Sequence, residues 1–101
     1  MASGTIKAKR WVHIGTQTNT NVQSIPTDCD EIMVVTKHGG NEWTVSMTIP
    51  KAYLTDSRKY LMMGSATMYV GIYATSTTMV ASSCKYDGMA ASSWITDYYV
   101  R

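Results

Sequence analysis

Phenylalanine is absent from this 101-residue chain, which has two prolines and two cysteines, and only 16% of its residues are charged. Each scarcity excludes something. A charged fraction well below the usual ~25% argues against exposed, ion-paired helices. No apolar run approaches the ~18 residues of a membrane-spanning helix. The opening MASGTIKAKR has no apolar core of a signal peptide, so synthesis and folding in a cytoplasm are expected. In that setting Cys29 and Cys84 read as reduced, buried small residues. With His13 and His38 they show no paired metal-ligand spacing, so neither a metal nor a cofactor is expected. The net charge is only +2, and Lys7, Lys9 and Arg10 form the one basic cluster. A nucleic-acid partner calls for a denser basic face and is not expected.

Catalytic signatures are missing too. There is no P-loop, no GxGxxG and no GxSxG. His13 and His38 read as packed or solvent-facing residues at strand ends rather than as general bases. Asp28, Asp30 and Glu31 crowd into DCDE without the spacing or the glycine of a calcium loop, and read as a solvated turn. A hydrolase would need a carboxylate pair, for which Asp56 and Asp87 are the candidates to test. The expectation is a protein that is not an enzyme.

What the chain has in abundance is hydroxyl and tyrosine. Fourteen threonines and ten serines accompany seven tyrosines and three tryptophans. These residue types suit pleated, half-wet surfaces and point to β structure. From Trp43 to Ile49 apolar and small polar residues alternate strictly until Pro50, placing Trp43, Val45, Met47 and Ile49 on a core face and Thr44, Ser46 and Thr48 on the other.

Further strands are expected over 7–16, with Trp11 and His13 on one face and Val12 and Ile14 on the other, and over a short extended piece VQSIP. Glu31–Lys37 reads as a strand buried on much of both faces, joined to the next by an HGGN hairpin. YLMMGSA, TMYVGIYAT, TTMVASSCKY (closed by a DG turn) and SSWITDYYVR complete the set. In TMYVGIYAT, Tyr69, Gly71 and Tyr73 oppose Met68, Val70 and Ile72. The last strand places Trp94, Thr96, Tyr98 and Val100 together. At most one helical turn is expected, near 51–58. The sum is a single all-β domain of about seven or eight antiparallel strands, a jelly-roll-like sandwich or barrel, with residues 1–6 flexible.

Tyrosine offers a rigid ring with a polar tip, a good recognition surface for the C–H faces and hydroxyls of a sugar. The candidate ligand-binding residues are Tyr60, Tyr69, Tyr73 and Tyr86. Met62, Met63, Met68 and Met79 read as flexible core filler.

The order of landmarks resembles a family. RWVHIGTQTNTNVQSIPTDCDEIMVV, with its Trp strand, Gly-Thr turn, apolar-Pro step and aliphatic run, is similar to the opening of small phage and prophage tail-fibre (receptor-binding) C-terminal domains. SMTIPKAYL resembles their next strand and loop, and ITDYYVR their terminal strand. DCDEI stands where the family more often has an Asn-rich turn. The resemblance implies a jelly-roll-like β-sandwich that forms a homotrimer at the tip of a virion appendage. It also implies contacts with other virion proteins and with a bacterial surface saccharide. A capsid decoration or tail-connector protein, with purely structural contacts, is the alternative it leaves open.

Overall fold

The computed structural model describes residues 10–40 and 43–101. The expected start of the first strand at Lys7, the flexibility expected of 1–6 and residues 41–42 of the HGGN hairpin lie outside the described residues. The chain is all-β, with nine strands among the described residues. These are β1 (Val12–Thr18), β2 (Val22–Ser24), β3 (Glu31–His38), β4 (Thr44–Pro50), β5 (Lys59–Gly64), β6 (Tyr69–Ala74), β7 (Thr78–Tyr86), β8 (Met89–Ala90) and β9 (Trp94–Val100). A single 3-10 turn, Lys51–Tyr53, falls where the helical turn was expected. The two-residue β8, which pairs with β7, takes the count to nine.

The strands form two antiparallel sheets, ordered β1-β9-β3-β4 and β2-β7-β6-β5, with β8 beside β7. The first strand lies beside the last and β2 beside β7, as in a jelly roll, while β3–β4 and β5–β6–β7 are successive hairpin-type neighbours. The two inner faces supply the core. Ile32 and Val34 of β3 and Trp94, Tyr98 and Val100 of β9 meet Val70, Ile72 and Ala74 of β6 and Met79, Ala81 and Cys84 of β7. Ile25 and Leu54, on two of the four segments that cross between sheets, are buried with them. Period-2 alternation produces this directly, because burying one face of each sheet fixes the register of every strand in it.

The core is not wholly apolar. Thr36 and Thr96, directly paired across β3 and β9, are buried and share a 2.9 Å hydroxyl–hydroxyl bond. The Trp94 indole N–H donates to the Ala81 carbonyl at 3.2 Å, tying one sheet to the other.

Several sequence expectations need correction. Trp43, Val45, Met47 and Ile49 do pack against the core, but each is only half-buried, because β4 is an edge strand. β3 is buried on one face only; Met33 and Val35 on the other are half-buried. Strand β1 starts at Val12 and runs through Thr18, further than expected, and turns at Asn19, whose φ of 50° is left-handed. Asparagine tolerates that conformation, and here its side-chain Oδ1 also accepts the Trp94 N–H at 3.0 Å. An irregularity between His13 and Gly15 breaks the expected alternation of β1, and Val12 is exposed. Met63 and Met79 are core residues, whereas Met62 is exposed and Met68 half-buried. Cys84 is buried and Cys29 half-buried; both are unpaired, and burial raises both thiols.

Candidate functional site

The outer face of the second sheet brings three of the four candidate tyrosines together. Cross-strand register aligns Val22, Val80, Tyr73 and Tyr60 as one row over β2, β7, β6 and β5. Next to it come Met62 and Gly71, and then Gly64, Tyr69 and Lys85. Val22 is 58% exposed, Tyr60 49% and Met62 58%, so this is an open apolar and aromatic surface and not a covered one. Among the described residues no enclosed pocket is found, and any ligand of this face would lie on a platform.

The platform has internal order. The Tyr60 and Tyr73 rings pack at 5.0 Å between centroids, tilted by 57°. Tyr60 leans diagonally over Gly71: a Cβ there would stand 2.1 Å from its hydroxyl oxygen and 2.6 Å from Cζ. A side chain at position 71 would therefore lift the ring, and glycine is what lets it lie down on the strand. The Arg58 guanidinium lies 4.2 Å from the Tyr73 centroid, in cation–π range. Just beyond the edge, Lys59 Nζ approaches the exposed Tyr53 ring at 4.9 Å. Arg58, Met62, Val22 and Val80 were missed by sequence reasoning. The i, i+2, i+4 spacing of Arg58, Tyr60 and Met62 is the signal that would have found two of them.

Tyr86 is elsewhere. It turns to the other side of β7, where its ring stacks on His38 at 4.8 Å and meets Trp43 edge-on at 6.2 Å. His38 is thus half-buried within an aromatic cluster at the end of the sandwich, the packed one of its two expected settings.

On the outer face of the first sheet, His13 Nε2 lies 3.1 Å from Thr16 Oγ1 and 3.0 Å from Asp97 Oδ1. Thr16 Oγ1 donates to the same carboxylate oxygen. A relay to a nucleophile places the carboxylate and the hydroxyl on opposite nitrogens of the imidazole. Here both meet one nitrogen, and the hydroxyl proton is already committed to Asp97. Among the described residues no group of three or more His, Cys, Asp or Glu is arranged to hold a metal. Asp56 and Asp87 lie on separate loops, Asp56 near Ser76 Oγ and Asp87 in the β7–β8 turn. No helix among the described residues is long and apolar enough to cross a membrane.

Fold and surface together define a small antiparallel β-sandwich with an open aromatic platform on one face. Comparison with protein-family models, with curated proteins and with solved structures finds no match.

Proposed function

We propose that the protein is a non-catalytic recognition module of a phage virion, a tail-fibre or receptor-binding tip whose second sheet holds a bacterial surface saccharide. The observation that carries the saccharide reading is the packed pair of exposed Tyr60, laid over Gly71, and half-buried Tyr73. Two tilted rings offer apolar surface to sugar C–H groups, and tyrosine hydroxyls can hydrogen-bond sugar hydroxyls. Tyr69 lies on the same face two rows further on, beyond Met62 and Gly71. The phage assignment rests on the resemblance of 10–35, 46–54 and 95–101 to tail-fibre domains. In this reading the chain works as a homotrimer, made in the bacterial cytoplasm and displayed on the virion. Shallow sites of low single-site affinity then act together, with an avidity gain on the order of 10²–10⁴.

The test is retention of the purified chain on bacterial cells and on an array of surface glycans. Wild type is retained, and Tyr60→Ala and Tyr73→Ala each weaken retention about tenfold, in line with a central aromatic anchor. Absence of retention on every glycan and cell tested overturns the saccharide reading.

A second reading has its own support. The row Val22–Val80–Tyr73–Tyr60 is continuous across four strands, with Met62 beside it. Such a surface also suits a protein partner, as in a capsid decoration or tail connector. Co-purification with a capsid or tail protein, together with no cell binding, favours that role.

A further inference from the structure

The second sheet has a one-sided charge. Its strands, 22–24, 59–64, 69–74, 78–86 and 89–90, contain no Asp or Glu, whereas the first sheet includes Glu31 and Asp97. On the tyrosine face the charged groups are Arg58, seated on Tyr73, and Lys85, in the row of Tyr69. Among the described residues neither has a carboxylate partner. The acids nearest in sequence are Asp56 and Asp87. Asp56 lies 3.4 Å from the Ser76 hydroxyl, and Asp87 has the left-handed backbone of the β7–β8 turn. A guanidinium held over an aromatic ring is positioned beforehand, and its fork of N–H donors suits a carboxylate or phosphate.

We infer that the saccharide this face takes is acidic, with a pyranose ring on the Tyr60–Tyr73 pair and its carboxylate or phosphate on Arg58, within the positive field that Lys85 extends. This rests on the saccharide reading above and narrows it to one chemical class. Charge complementarity selects the ligand: the acid-free sheet repels no anion, and a neutral sugar leaves Arg58 without a partner.

The experiment measures binding of the full chain to three soluble polymers: oligogalacturonate, phosphomannan and a neutral galactose oligomer. Wild type binds an anionic polymer more tightly than the neutral one, and added salt weakens that binding. Arg58→Ala, at an exposed position, lowers the anionic affinity about tenfold, the usual size of a lost charge-assisted hydrogen bond. Lys37→Ala removes the same charge from the exposed surface of the first sheet and leaves the affinity unchanged, which separates a site from general attraction to a basic protein. Oligogalacturonate binding assigns a carboxylate, and phosphomannan binding assigns a phosphate. Equal binding of all three polymers, or equal losses in Arg58→Ala and Lys37→Ala, overturns the acidic-saccharide inference and leaves the saccharide reading standing. Failure to bind any of the three while cells or other glycans still retain the chain also overturns this inference alone. Failure on every surface overturns both.

Discussion

Tyr98 shows how much the core tolerates at a single residue. Its side chain is fully buried between the sheets, and its hydroxyl makes no hydrogen bond. Burial pushes the phenol from its ordinary 10.0 up to about 12, with a smaller opposing pull from the Ala81 backbone. An unmet buried hydroxyl costs about 1–3 kcal/mol, so Tyr98→Phe is expected to raise stability by roughly 1 kcal/mol. The pH dependence follows from the direction of the shift. The folded state holds this proton more tightly than the unfolded state does. The stabilisation is therefore fully present below pH 10 and is lost as pH rises toward 12. The loss between pH 10 and pH 12 is about 2 kcal/mol for a shift of this size. Urea denaturation of wild type and Tyr98→Phe across alkaline pH checks both points, because the phenylalanine variant lacks this component of the decline.

At the scale of elements, the informative places are those where one extra residue changes a face. The alternation of β4 and β9 was legible because neither strand contains an irregularity: Trp94, Thr96, Tyr98 and Val100 are all buried, as their spacing requires. The DG turn was legible too, since Asp87 and Gly88 adopt the paired positive φ values, 53° and 79°, that a two-residue hairpin needs. Strand β7 is different. Its register with β6 shifts between Gly71 and Ile72, so that Ser83 faces Gly71 while Ala81 faces Ile72 and Ser82 is the extra residue. Strict alternation from Val80 would have sent Tyr86 outward with the other tyrosines. The bulge sends Lys85 outward and Tyr86 inward. Nothing in the sequence ASSCK marks that slip, so one candidate was lost from the platform and a cation gained.

The irregularity in β1 has a visible purpose, because it brings Gly15 beneath Gln23. Gln23 is buried, accepts from Gln17 Nε2 at 2.8 Å and donates to the Ser24 carbonyl at 3.0 Å, clamping β1 to β2 where the chain changes sheets. A Cβ on Gly15 would stand 2.1 Å from Gln23 Oε1. Gly15→Ala is expected to cost about 1–3 kcal/mol, since the glutamine cannot move aside without losing both bonds. Gly71→Ala makes an equally close contact, but with the half-exposed Tyr60, which can swing into solvent; its expected change is within ~0.5 kcal/mol. Thermal melts of the two variants side by side check the contrast.

For the whole molecule, the question is which face meets what. Sequence alone could not pair β1 with β9 across 84 positions, and so could not assemble either outer surface. The two surfaces differ in kind. The second sheet presents exposed Tyr60 and Arg58 with half-buried Tyr69, Tyr73 and Lys85. The first presents half-buried Met33, Val35, Ile95 and Tyr99 beside the small exposed hydroxyls of Thr44, Ser46 and Thr48. Small side chains along an edge strand allow close approach of another chain, and a trimer would cover that edge. If the chain is a trimer that displays the saccharide face outward, its subunits meet through the first sheet. Light scattering is then expected to give three chains for wild type. Ser46→Arg, which places a long charged side chain in that contact, should reduce the mass to one chain without altering the circular dichroism spectrum, because burying an unpaired charge costs several kcal/mol. Met62→Arg, on the opposite surface, should leave the mass at three. A single-chain mass for wild type removes the trimer altogether. The reverse pattern, with Met62→Arg dissociating the assembly and Ser46→Arg leaving it intact, would make the tyrosine platform the subunit interface and leave the saccharide no room on it.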